Sequence, residues 1–231
     1  MTSDLKPASE LAAAARKPYP NDSAGYERAR TALLAEEIEL RRHIERVAAR
    51  RRALPPGGEA LACPLRDAND RTLTLADAFG GNDTLVSYFW MFGPKRPRPC
   101  PMCTAFLDAF DQPVRAIRQR VPFVVLGRSP VARQLEFARE RGWRNLVFYQ
   151  VLDDDFARGY RALAPDGGEW PALDVWTKSG DTVRHFWGSE LFGTQDPGQD
   201  PRGAPDPTPL WNILDLTPAG RGTDWYPALE G

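Results

Sequence analysis

The chain has 231 residues, enough for one well-formed core with appendages or at most two small domains. Its formal net charge of −1 leaves no electrostatic footprint for nucleic acid or an anionic membrane, and three cysteines are too few for a disulfide framework. No apolar run approaches the roughly 18 residues of a membrane span, and Leu11 to Ala15 is too short for a signal-peptide core. The expected setting is soluble, reducing and cytoplasmic.

Residues 1–25 read as a loosely held lead-in with a short helix near Leu11 to Arg16. Residues 26–58 read as an N-terminal helical extension. Tyr26 to Arg52 is one long helix in which Leu33, Leu40, Ile44 and Val47 share a stripe that Leu34 and Ile38 widen. Interleaved Glu and Arg residues make the rest of it a solvated face rather than an anion patch. Such a helix is marginal alone, so its stripe is expected to pack on the body or on a second copy, giving a possible homodimer. Leu54-Pro55-Pro56-Gly57-Gly58 ends it.

Residues 59–231 then read as α/β. Ala60 to Leu65 and Arg71 to Leu75 predict short strands about an Asp67-Ala68-Asn69-Asp70 turn. Thr74 predicts an N-cap for a helical turn ending at Phe79. Thr84 to Phe92 is a buried strand, Thr104 to Arg120 a helix that Pro113 would kink or split, and Val121 to Leu126 a strand. Val131 to Arg141 is a helix stopped by Gly142, Leu146 to Tyr149 a strand, and Asp153 to Tyr160 a short helix. Leu173 to Thr177 and Thr182 to Phe186 form a hairpin. Thr194 to Pro209 is a loop, and Leu210 to Leu216 a last helix. This order gives a mixed sheet flanked by helices, parallel in the middle and antiparallel at one side.

Cys100-Pro101-Met102-Cys103 stands between a strand and a helix, the layout of a thioredoxin-type redox site. Two intervening residues place both sulfurs in one helical turn. Unpaired N–H groups and the helix dipole favour a thiolate at Cys100. Pro101 takes an early helical position where its missing N–H costs nothing. The same spacing also serves half a zinc site or an inert core pair. Beyond the pair the chain offers only Cys63, His43 and His185 as further Cys or His ligands, so no metal and no cofactor is expected.

Lys95, Arg96 and Arg98 precede Cys100 and would lower its pKa further, unless they only form an exposed basic loop. Trp170 and Pro171 precede a strand, where a cis proline would present backbone groups to an extended substrate; a trans proline at a strand's first residue is the plainer reading. Arg128 follows a parallel strand and either lies near Cys100 or caps a surface loop. No carboxylate lies between Leu85 and Pro99, so Asp174, Glu169 or water would have to assist Cys103.

Six segments carry a resemblance: Arg51 to Gly58, Thr74 to Phe79, Met91 to Pro94, Cys100 to Cys103, Arg141 to Trp143, and Trp211 to Pro218. Together they resemble an uncharacterised thioredoxin-like family, domain of unknown function 899. The resemblance implies a thioredoxin fold related to the peroxiredoxin and thiol-peroxidase branch, and little about substrate. The chain departs from that pattern at Lys95 to Pro99 and Gln195 to Pro207.

The expected activity is thiol–disulfide exchange on a protein or low-molecular-weight thiol or disulfide. Cys100 would be the nucleophile and Cys103 the resolving thiol. A peroxidase with Cys100 as the peroxide-reacting cysteine, a non-enzymatic redox-sensing or scaffold module, and copper delivery through the pair and His185 are the alternatives.

Overall fold

The computed structural model of the chain describes residues 5–189. The chain divides into two compact units, Met1–Pro55 and Pro56–Gly231.

In the first unit, α1 (Ala8–Ala15) packs on α2 (Ala24–Arg52) and buries Ala12 completely. Ser23 caps α2 by accepting from the Tyr26 N–H at 3.1 Å. Arg16 pairs with Glu27 at 2.9 Å, and Arg42 donates to the Lys6 carbonyl at 2.7 Å. The short helix expected near Leu11 to Arg16 is α1, which starts three residues earlier and is tied to α2. Along the stripe of α2, Leu33, Leu40 and Ile44 are more than half exposed, while Leu34, Ile38 and Val47 are half-buried.

The second unit is built on one sheet. Its strands are β1 (Leu65–Arg66), β2 (Thr72–Leu73), β3 (Thr84–Phe89), β4 (Phe123–Gly127), β5 (Phe148–Val151), β6 (Ala172–Ser179) and β7 (Thr182–Gly188). Their order is β2-β1-β5-β4-β3-β6-β7. The pairs β3–β4 and β4–β5 are parallel and all others antiparallel. The thioredoxin-like mixed sheet expected from the sequence is present, but with antiparallel strands at both sides instead of one. β1 makes the difference by returning beside β5, and its ladder is two residues long where the sequence predicted six.

Period-two alternation sorts the strands' side chains onto two faces. Tyr88, Trp90, Phe123, Val125 and Phe148 pack against α3 (Pro101–Phe110) and α5 (Val131–Arg141). Leu85, Phe89, Val124, Leu126 and Trp176 pack on the other face against α6 (Asp154–Gly159) and the 3-10 turn Asp77–Phe79. Of the kink or split expected at Pro113 in the helix over 104–120, the split into two helices is found. Pro113 has no N–H to continue the first, so α3 stops at Phe110 and α4 (Val114–Ile117) begins after the proline. No helix among the described residues is long and apolar enough to cross a membrane. The loop and helix predicted over 194–216 lie outside the described residues.

Candidate redox site

Trp90 fixes the approach to the cysteines. It is fully buried among Phe92, Phe137, Trp143 and Phe148, with ring centroids 5.0–6.0 Å away, and its indole N–H faces the Gln134 Oε1 at 3.3 Å. Gly127 allows this, because a Cβ there would strike Trp90 and Gln134. The chain then turns back, so that the Cys100 N–H donates to the Met91 carbonyl at 3.0 Å. Cys100 is the N-cap of α3 and Pro101 its first residue, as the sequence predicts. Thr104 returns both its N–H and its hydroxyl to the Cys100 carbonyl, each at 3.0 Å.

The two cysteines differ sharply. Cys100 is half-buried at the site's surface; Cys103, one turn in, is 1% exposed. The Cys103 thiol donates to the Cys100 sulfur, the backbone N–H groups of Cys103 and Met102 point at it, and the Arg96 charge adds to them. Together they outweigh burial and bring the Cys100 pKa down to about 6. Burial pushes Cys103 well up, and its bond to the Cys100 sulfur adds to this. Beneath it the buried Tyr88 hydroxyl donates to the Cys103 sulfur and favours its ionisation, while burial first and Cys103 second keep Tyr88 itself protonated. Tyr88 is held by stacking on Phe106 at 4.2 Å. All three cysteines are unpaired.

Tyr88 is the residue that sequence reasoning missed. A search for a carboxylate below the pair passes over a hydroxyl, although alternation along β3 turns residue 88 toward α3 along with Val86 and Trp90. The carboxylates offered for that role go elsewhere. Asp174 lies on the opposite face of the sheet, between Ala172 and Trp176, where it meets His185 Nε2 at 3.0 Å. His185 is thereby separated from the cysteines by the sheet, which removes the copper reading. This pair borders a cavity of about 380 Å³ on that far side, whose rim includes Trp170 and Pro171. Among the described residues no group of three or more His, Cys, Asp or Glu side chains could hold a metal ion.

Glu169, the other carboxylate, joins three loops. Its Oε2 accepts from the Gly93 N–H at 3.0 Å and from Arg96 Nε at 2.8 Å, and its Oε1 accepts from Arg128 Nη1 at 3.3 Å. Its side chain is only 5% exposed. A Cβ on Gly93 would collide with this carboxylate, which is why glycine is needed there.

The basic residues predicted to surround Cys100 therefore divide. Arg96 lowers the Cys100 pKa. Arg98 turns to Glu140 at 2.9 Å and lies over Phe137, and Lys95 is exposed. Arg128 grips Asp154 through two bonds of 2.8 and 3.0 Å, bonds Glu169, and brings its Nη1 up against Gly93 of the cysteine loop. Arg133, unremarked in the sequence, ties the loop down by donating to the Arg96 and Pro97 carbonyls across the Phe92 ring. Pro171 is half-buried and directly precedes Ala172, which pairs with Phe89. Pro171 thus sits where β3 leaves the sheet for the cysteine loop. Trp170 beside it is 45% exposed. Cys63 is buried on the other face, and burial followed by the Asp153 charge pushes its pKa up.

The family model for a bacterial protein of unknown function (DUF899) matches residues 16–230. The chain belongs to this family. No curated protein matches this DUF899 chain. Among solved structures it is similar to a reduced 2-Cys peroxiredoxin from Plasmodium vivax, at 15% identity and TM-score 0.41 over 55% of this chain and 81% of that one. It is also similar to the peroxidoxin BcpB of Mycobacterium tuberculosis, at 15% identity and TM-score 0.42 over 56% and 82%. A peroxiredoxin-like protein from Aquifex aeolicus matches at 14% identity and TM-score 0.41 over 58% and 75%.

Proposed function

We propose that the chain is a thiol–disulfide oxidoreductase acting through Cys100 and Cys103. The observation that carries this is the asymmetry of the pair: a half-buried Cys100 with a pKa of about 6 above a buried, protonated Cys103. The Cys100 thiolate attacks one sulfur of a disulfide, whose other sulfur leaves as a thiolate and takes a proton from water. The negative charge is thereby removed from Cys100, and Cys103 loses the anion that raised its pKa. Cys103 then attacks the Cys100 sulfur with the Tyr88 hydroxyl on its own sulfur, and its proton passes to the substrate sulfur that departs. The mixed disulfide breaks, the second substrate thiol departs, and a Cys100–Cys103 disulfide remains. Two electrons have passed to the substrate, and an external dithiol returns them. Pro171 directly precedes Ala172, the partner of Phe89 where β3 leaves for the cysteine loop, and in this reading an extended substrate would meet the backbone there.

The test is reduction of a protein disulfide and of a small disulfide by the reduced chain. Wild type should turn over, Cys100→Ser should be inactive, and Cys103→Ser should accumulate a mixed disulfide on Cys100. Consumption of hydroperoxide, with no disulfide reduction, would assign the same pair to a peroxidase. Unaltered function of the double Cys→Ser variant in its native setting would assign a scaffold or sensor.

A further inference from the structure

Glu169 is a buried carboxylate with three donors on it, yet it touches neither cysteine. With its partners it joins three separate segments. Gly93 and Arg96 belong to the loop between β3 and α3 that ends at Cys100, Arg128 follows β4, and Glu169 itself immediately precedes Trp170 and Pro171. A carboxylate buried to this extent is retained only where its charge is matched, and here two guanidiniums and one amide match it. The bond to Arg96 uses Nε, so it fixes the plane of the guanidinium and leaves its terminal nitrogens free to point elsewhere. The Arg96 side chain is 35% exposed and would otherwise sample water.

We propose that Glu169 is a positioning residue that fixes the Arg96 guanidinium on the loop that ends at Cys100 and ties that loop to the segment entering β6. The proposal rests on the reading of Cys100 as the reactive thiol. The titratable and charged groups around Cys100 come from several elements. Cys103 lies on α3, Tyr88 on β3 and Arg96 on the loop, with Glu169 behind Arg96. Beyond them, Arg133 of α5 binds the loop carbonyls, and Arg128 carries Asp154. Of these, Arg96 is the cation that acts on Cys100, and Glu169 is the carboxylate that bonds it.

The experiment is the pH dependence of iodoacetamide labelling at Cys100 in the reduced full-length chain, read by mass spectrometry. Variants whose circular dichroism matches wild type are compared. Arg96→Gln should raise the midpoint from about 6 by roughly half a unit, the effect of one charge several ångströms away in a mostly aqueous setting. Glu169→Gln should produce the same rise, although it removes a negative charge, because Arg96 is released. The double variant should match either single one. Glu169→Asp keeps the charge and loses about one methylene of reach. It should also shift the midpoint upward, and it carries the test if the Gln variant fails to fold. A Glu169→Gln midpoint that falls or stays at about 6, shifts that add in the double variant, or an unmoved Glu169→Asp profile would each overturn the proposal. Labelling requires no disulfide substrate. Absent reductase turnover would therefore refute the proposed function and leave this coupling standing, and uncoupled midpoints would do the reverse.

Discussion

Replacing Cys103 by alanine removes the largest influence on Cys100, the thiol that donates to its sulfur. A hydrogen bond to a charged acceptor is worth about 1.5–3 kcal/mol, or roughly one to two pH units. The Cys100 midpoint should therefore move from about 6 to roughly 7–8. At pH 6 the thiolate fraction falls from about a half to about 1–9%. A more basic thiolate is also a better nucleophile, by roughly three- to eightfold over that interval. Labelling by iodoacetamide should then be about two- to sixfold slower than wild type at pH 6 and about three- to sevenfold faster at pH 9. The two profiles must cross. Serine retains a donor at the same place, so Cys103→Ser should stay within about half a unit of the wild-type midpoint. A Cys103→Ala profile that stays at pH 6, or one that coincides with the serine variant, would refute the assignment of Cys103 as the donor.

Tyr88→Phe removes the donor beneath Cys103 and should slow release of the mixed disulfide about fivefold, about 1 kcal/mol, with only a small shift of the Cys100 midpoint; stopped-flow measurement of the resolving step checks this. Cys63→Ser should retain more than about a tenth of wild-type turnover, because Cys63 is buried on the opposite face of the sheet from the pair. The Cys100 pKa is lowered on folding, from 9.0 to about 6, so its contribution to stability is fully present above pH 9 and is lost as pH falls through 6. Denaturant unfolding of the reduced chain should show that rise between pH 6 and 9, and Cys100→Ser should lack it. The exposed Leu33, Leu40 and Ile44 of α2 lead us to expect a homodimer; sedimentation of a monomer at tens of micromolar would remove that expectation.

The parts legible in the sequence are those set by local rules. Gly142, with its positive φ of 75°, ends α5 where the sequence predicts, and Pro101 opens α3. The strand, CxxC and helix order placed the cysteines. Other features depend on contacts distant in sequence. Ladder ends follow the partner strand, so β3 stops at Phe89 where Ala172 begins β6, three residues short of the apolar run. The partners of Glu169 are 41, 73 and 76 residues away, and no spacing rule reaches them. Face assignment decided the rest. A carboxylate count could not tell that Asp174 points away from the cysteines, whereas the alternation Val86, Tyr88, Trp90 could have nominated a hydroxyl.

That hydroxyl has an electrochemical consequence. A buried carboxylic acid under a dithiol would titrate within the working pH range and add its own proton to the reduction. Burial keeps Tyr88 neutral far above that range, so it adds no proton step to those of the sulfurs. The midpoint potential of the couple should fall by about 60 mV per pH unit while reduction takes up two protons, and by about 30 mV once Cys100 stays ionised. The break belongs at about pH 6, with a straight line above it until Cys103 itself ionises.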